Sequence, residues 1–473
     1  MEDTRAGLVA AEDVLLFVNA AITATGQREF RSDAAEQHLS LDFLHRYVHG
    51  NYRDLYAAAL ALDINDHNAA RIILRLLRTA TDATPEQRTT EGRLIARRLT
   101  HTPPQRVYRL FRDIRAARIN NRRTRAIMRD WLAHRPDPAF DAVKYRTGMK
   151  TATRHSHLSP TAELGDFLFE PRRRIRYDHP LLDAYRRARY EQAAIYELPF
   201  TTAEGFAAKH RIPRRAFLER ITPRLTRLER LRLQESARTH KAENIAADLT
   251  TMPLTRLASY ALALPLDDRV RRRAELTTAL RAAAAKAAGS AAGTWPRTVA
   301  VLDDSFSASG STEKRRRPLA VAVATHFLLE ALTTSATSLW TSGRTDALLA
   351  RPYGPTPLGA RILDALDRSP DRLLIVSDGW DNAPPGLAAE VLRVWRTRLD
   401  PTGRTDVVHL NPVYDATGFD VRRLAPSVPT AGIRNAEDLP ALVELARFAA
   451  GHTDLAELRA HLDTRVRSYL ADD

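Results

Sequence analysis

Three short stretches carry residues suited to hold a small divalent cation. Val299-Ala-Val-Leu-Asp-Asp-Ser-Phe-Ser307 is an apolar run that ends in hard oxygen donors. The apolar part predicts a buried parallel strand, which would deliver Asp303, Ser305 and Ser307 to the carboxyl edge of a sheet, where open α/β sheets bind their ligands. The spacing Asp-x-Ser-x-Ser lets one carboxylate and two hydroxyls point the same way from a returning loop, a set that suits an octahedral ion keeping some waters. In Gly354-Pro-Thr-Pro-Leu-Gly359, Thr356 stands before Pro357 as an N-cap stands before a first helical turn, with its hydroxyl free to reach a metal. Leu373-Leu-Ile-Val-Ser-Asp378-Gly predicts a second buried strand, ending in Asp378. Asp and Ser are also ordinary loop residues, so each stretch alone is consistent with a plain strand-to-helix loop.

A second chemistry is carried by arginine. In residues 105–131, Arg109, Arg112, Arg115 and Arg118 recur every third residue, and Arg122, Arg125 and Arg129 continue at threes and fours. Leu110, Phe111, Ile114, Ile127, Met128 and Trp131 supply the opposite, core-facing side. Asn120-Asn121 predicts a break, hence two basic faces rather than one stripe. Such a stripe is usually a solvated face, but only Asp113 and Asp130 interleave this one, so self-repulsion favours an anionic partner. The next basic run holds Lys144, Tyr145, Arg146, Lys150, Arg154, His155 and His157. Lys and Arg neutralise phosphates, while Tyr, His and Arg planes stack on splayed bases. His155 and His157 lack nearby partners for a zinc site, and packing or capping within the loop is their plain alternative.

These groups must be positioned by two kinds of element. From residue 7 to 150 apolar residues recur at helical spacing, broken by short polar joints, which predicts consecutive amphipathic helices of HEAT-like pairs without an exact repeat. Residues 171–232 read as further basic helix, Val270 to Ala288 as a last Ala-rich helix, and Gly289-Ser-Ala-Ala-Gly293 as a linker. The expected architecture is multidomain: an all-α domain over 1–290 and a doubly wound α/β domain over 295–473. Lys314-Arg-Arg-Arg317 would start a helix in the second, either facing the helical part or solvated. Charge follows this division. Residues 1–290 hold 51 Lys and Arg against 34 Asp and Glu, whereas residues 291–473 hold 21 against 23. A polyanion is therefore expected for the first part, the alternative being compositional drift towards Arg. With no Cys the chain has no disulfide and no thiolate site, in keeping with a cytoplasmic protein. The acidic N-terminus is unlike a signal peptide, and no run of 18 uncharged apolar residues predicts a membrane span. A Gly-x-Ser-x-Gly elbow, a Walker loop and His-Glu-x-x-His are all absent, so no enzyme is expected.

The order strand-end Asp303, Ser305, Ser307, then Thr356, then strand-end Asp378 resembles the metal-ion-dependent adhesion site of a von Willebrand factor A domain. Phe306 stands where that family usually has Gly, either altering the loop or pointing into a neighbouring pocket. The resemblance implies Mg²⁺, or Mn²⁺, held by those five residues, with an open position that accepts a partner protein's carboxylate. Lys144-Tyr with the basic run and Ser156-His-Leu-Ser-Pro160, together with Lys209-His-Arg-Ile-Pro-Arg214 and Met252-Pro-Leu-Thr-Arg-Leu257, resembles the TROVE module of the Ro autoantigen family. In that family a ring of helical repeats precedes a von Willebrand A domain. The resemblance implies binding of single-stranded RNA ends and small structured non-coding RNA of the Y class, by a monomeric ring in the cytoplasm, as a scaffold in RNA quality control or repair. Lys144 and His157 match the family's RNA-contacting Lys and His, and Arg146 corresponds loosely to its Arg. The chain is a few residues shorter between these anchors and lacks the family's Gly-Trp-Ser-His. The expected RNA-binding set is thus Arg112, Arg115, Arg118, Arg122, Arg125, Lys144, Arg146, Lys150, Arg154 and His157. Two alternatives are a metal-dependent adaptor whose basic helices bind an acidic protein, and a metal nuclease that would lose turnover in Asp303→Ala.

Overall fold

The computed structural model describes residues 2–239, 248–448 and 454–471. They form two compact units: residues 1–72 together with 249–473, and residues 73–248. The chain is rich in helix and contains a five-stranded sheet, as the expected helical and α/β parts require.

The sheet lies in the first unit. Its strands are β1 (Thr298–Leu302), β2 (Ala336–Trp340), β3 (Arg372–Val376) and β4 (Asp406–Asn411), then, beyond a small antiparallel pair β5 (Tyr414–Asp415) and β6 (Asp420–Val421), β7 (Thr430–Gly432). The order is β2-β1-β3-β4-β7 and every pairing is parallel. All of β1 and nearly all of β3 is buried, which is why both read as continuous apolar runs. One face packs Val299, Val301, Leu373 and Ile375 against Leu358, Ile362 and Leu366 of one crossover helix and Ala388, Val391 and Leu392 of the next. Gly359 allows that close packing, since a Cβ there would meet Leu387 at 2.4 Å. The helix Arg317–Leu332 is buried on nearly every side, as its largely apolar sequence demands.

Residues 1–72 belong to this unit. The helix Glu2–Thr23 packs against β6, β7 and the helices Ala34–Asn51 and Leu455–Ala471. Its Ala6–Thr23 segment is long and apolar enough to cross a membrane, and is mostly buried within the protein. Asn19 on this helix bonds both Asp420 and the Gly432 amide. The stretch expected to be a linker is a turn instead. Gly289–Ala291 is a 3₁₀ turn, and the amides of Gly293 and Trp295 bond Ala331 and Leu332 at 3.0 Å.

The second unit is helical, without a strand among its described residues. Pro104–Ala116 and Arg122–Ala133 each pack on Arg146–Ser156, with Tyr108 and Phe111 set edge-on to Trp131. The break at Asn120-Asn121 is present, and Asn121 caps the second helix through the Thr124 amide. Residues 171–179, expected to be helical, are a turn segment between Ala162–Phe169 and Pro180–Arg187. Pro171 and Pro180 bracket it, and its arginines supply no apolar face to bury.

Candidate functional site

The strand order reverses between β1 and β3: β2 lies on one side of β1, and β3, β4 and β7 on the other. A crevice opens beyond the strand ends at such a switch point. In the β1–β3 register Leu302 stands opposite Val376, so Asp303 and the Ser377-Asp378 pair leave the sheet side by side. The loops that follow are cross-linked. The Phe306 amide bonds Gly354 O at 3.0 Å and Tyr353 N bonds Asp304 O at 2.9 Å. Thr356 N donates to Asn382 Oδ1 at 2.7 Å, and the Asn382 amide returns a bond to Thr356 O. Gly379 turns with φ +77°, and a Cβ there would meet Arg422 O at 2.6 Å.

All five expected ligands are buried here: Asp303, Ser305, Ser307, Thr356 and Asp378. Asp303 Oδ1 accepts from the Ser305 amide at 2.8 Å and from Thr341 Oγ1 at 3.2 Å. Ser305 and Ser307 hydroxyls lie 3.3 Å apart, and the Thr356 hydroxyl has no partner among the described residues. Burial, and then the charge of Asp378, push the Asp303 carboxyl up to about 7. Asp378 is also raised by burial, against the lowering effect of Ser307, the Trp380 amide, Arg31 and Arg422. Two buried carboxylates, both raised by burial, beside three hydroxyls, form a hard-oxygen donor set that fits Mg²⁺ or Mn²⁺. Among the described residues no group of three or more His, Asp or Glu is gathered for a metal, so a cation here would rest on two carboxylates and hydroxyls.

Thr356 is one residue short of its expected role. Pro357 holds the N-cap of the helix Leu358–Leu366, and no side chain caps it. Phe306 neither strains the loop nor fills a pocket: it is 64% exposed, edge-on to Phe30. Beside it, Trp380 is sandwiched between the guanidinium groups of Arg31 and Arg422, at 4.0 and 3.9 Å.

Several supports escaped the sequence reading. Asp304 is fully buried and accepts from Thr341, Ser342 and Arg344. His409, also fully buried, bonds Ser377 at 3.1 Å, and burial lowers its pKa to about 4, so it stays neutral beneath the Asp378 turn. Asp304 is the unassigned position of the Asp-x-Ser-x-Ser spacing, and Thr341, Asn382 and His409 fall in no motif; the bonds to Thr341, Ser342, Arg344, Thr356 and Ser377 span 26 to 40 residues.

No protein-family model matches the chain, and no curated protein matches it.

The basic residues divide. Arg112 and Arg115 on Pro104–Ala116, Arg118 beyond it at φ 56°, and Arg122 on Arg122–Ala133 are exposed, while Arg125 is half-buried. None of them, nor Arg106, Arg109 or Arg129, forms an ion pair among the described residues. Lys150 and Arg154 lie over the Phe169 ring at 5.8 and 4.9 Å, also without a carboxylate. Burial and the charges of Arg146 and Arg154 lower the Lys150 pKa. His157 ends Arg146–Ser156 in the left-handed conformation and is exposed. Two of the expected RNA contacts are engaged elsewhere. Lys144 pairs with Glu229 at 3.7 Å, and Arg146 donates to Phe167 O at 2.6 Å while stacking on the Phe167 ring. The packing of Arg146–Ser156 on both arginine-bearing helices gathers the remaining cations on one three-helix group. The sequence offered no signal for Phe169 as their platform.

Proposed function

We propose that the protein is a non-catalytic RNA-binding protein of the Ro type. The helices of residues 73–248 take small structured non-coding RNA or single-stranded RNA ends, and the α/β unit holds a divalent cation in a von Willebrand A-type site. The TROVE-like repeat ring belongs to this reading, as do the cytoplasmic scaffold role in RNA quality control and Mg²⁺ as the ion. The observation that carries it is the run Arg106, Arg109, Arg112, Arg115, Arg118, Arg122, Arg125 and Arg129, all without an ion pair among the described residues. Uncompensated like charges at helical spacing repel one another, and a phosphate backbone relieves that repulsion with release of counterions. The test is RNA co-purification from the native host, followed by titration of the recovered RNA across a salt series. A discrete small RNA with a steep salt dependence supports the proposal. A protein free of RNA, and indifferent to it at low salt, would sink it.

A second reading, the metal-dependent adaptor, is favoured by the rim of the cation site. Exposed Phe306 and the Arg31–Trp380–Arg422 stack offer an apolar and cationic frame around a position that takes a carboxylate. Protein capture that survives RNase and is lost on chelation would favour it.

A further inference from the structure

A buried arginine in the α/β unit has no counter-ion among the described residues. Arg269 is 4% exposed, and its guanidinium is held by backbone carbonyls alone: Leu264 at 3.0 Å, Leu262 at 2.8 Å, Ala350 at 2.9 Å and Leu348 at 3.2 Å. These acceptors fix the side chain but leave its charge unneutralised. Arg316 also donates to Leu262 O, so two guanidiniums converge on one carbonyl. Burial, and then the like charge of Arg316, lower the Arg269 pKa to about 10.

Both arginines line a cavity of about 200 Å³, and exposed Arg351 lines it as well. Its remaining walls are apolar, among them Leu264, Leu319 and Pro352, and no acidic residue contributes. The volume is room for several waters. Buried charge is ordinarily paired, so three arginines around a cavity without a carboxylate are the complement of a small dianion. The apolar walls would add nothing to the binding of a bare inorganic ion, but they would cover an organic body attached to one.

We propose that this cavity, lined by Arg269, Arg316 and Arg351, is a binding site for a small phosphate monoester. Arg316 and Arg351 hold the phosphoryl oxygens, Arg269 supplies the buried positive charge behind them, and Leu264, Leu319 and Pro352 cover the organic group. The site is separate from the cation site, although Ala350, held by Arg269, opens the segment that runs on to Thr356.

The experiment is calorimetric titration of the full chain with phenyl phosphate and with inorganic phosphate. One saturable site is expected, with phenyl phosphate bound more tightly. Arg351→Ala and Arg316→Asn should each weaken it about tenfold, the effect of one lost charge-assisted contact. Asn tolerates the left-handed backbone of Arg316, at φ 56°. Arg112→Ala and Arg115→Ala should leave the binding unchanged, which excludes the basic helices of the other unit. Arg269→Met should abolish it, but this variant also removes a donor from four carbonyls, so the two rim variants decide. No saturable binding of phenyl phosphate would overturn the proposal. So would affinity unaltered in both rim variants, or phenyl phosphate bound no more tightly than inorganic phosphate.

Discussion

Two regions of this chain gather like charge that forms no ion pair among the described residues, and they do so in opposite ways. At the β1–β3 switch point the charge is negative, buried and confined to Asp303 and Asp378, with every surrounding loop cross-linked. On the helices of residues 104–133 it is positive, mostly exposed and spread over eight arginines. Buried like charge is barely screened and costs several kcal/mol per ion unless something compensates it, so the cation proposed there would be held in a fixed place and geometry. Exposed like charge is screened within about 10 Å at 0.1 M salt, and the partner proposed for it, an extended polyanion, would bind less tightly as salt rises. The division of charge sharpens the contrast. Residues 73–248 hold 38 Lys and Arg against 20 Asp and Glu, while the rest of the chain holds 34 against 37.

The largest effect is expected on the helical side. Reversing Arg112, Arg115 and Arg122 to Glu together should weaken RNA binding about a hundredfold near 0.1 M salt, and lower the salt slope by about 2 for a single strand. Folding should be unaltered within about 0.5 kcal/mol, because the side chains are exposed and unpaired. Fluorescence anisotropy across a salt series and thermal unfolding give both readouts. If the affinity is unmoved, the comparison breaks at its positive end.

On the negative side, Asp303→Asn should weaken Mn²⁺ or Mg²⁺ binding about thirtyfold by calorimetry, the loss of one charged ligand contact. The sign of the stability change is the sharper test. The Asp303 pKa is raised in the fold, from 3.8 to about 7, so its contribution is fully present below pH 3.8 and lost as pH rises through 7. Metal-free protein should therefore lose stability between pH 4 and 7, and Asp303→Asn should flatten that slope and raise the melting temperature at pH 8 without metal. Divalent cation should stabilise wild type more at pH 8 than at pH 6. A pH-independent metal-free melting temperature would show that the two carboxylates do not share one buried site.

What could be read in advance follows from how local each signal is. β1 and β3 with their terminal aspartates were legible because a parallel strand buried on both faces is an unbroken apolar run whose polar end marks the sheet edge. The helix break at Asn121 was legible for a similar reason, as its side chain bonds an amide only three residues on. Thr356 was misassigned by one position because Pro357 can itself begin the helix. Asp304 and Thr341 were invisible, since they bond across 37 residues that no spacing rule connects. Nor could the sequence reveal that helices in residues 2–72 pack with the sheet. Their periodicity matches that of the following helices, and an amphipathic face does not specify the surface that covers it. The same limit applies to Lys144 and Arg146: residue type marks them as cationic, but Glu229 and the Phe167 carbonyl, which engage them, lie 85 and 21 residues away.

The smallest expected effect tests whether pairing, rather than arginine content, distinguishes the candidate RNA face. Residues 173–215 hold nine arginines, over a longer stretch, and six of them, Arg173, Arg174, Arg186, Arg187, Arg214 and Arg215, hold carboxylates. Arg187 is the most engaged, bonding Asp183, Glu191 and Glu197. Its charge is already matched, so phosphate would have to displace carboxylates to reach it. Arg187→Ala should lower stability by about 1 kcal/mol, since partly exposed ion pairs contribute a few tenths each, and should change RNA affinity by less than about twofold. Unfolding by urea and anisotropy at one salt concentration suffice. A loss of affinity comparable to that of the triple reversal would mean that RNA follows positive charge wherever it lies in residues 73–248, and the unpaired arginines would lose their special standing. Lower stability with unchanged affinity would confine recognition to the cations that the fold leaves without a partner.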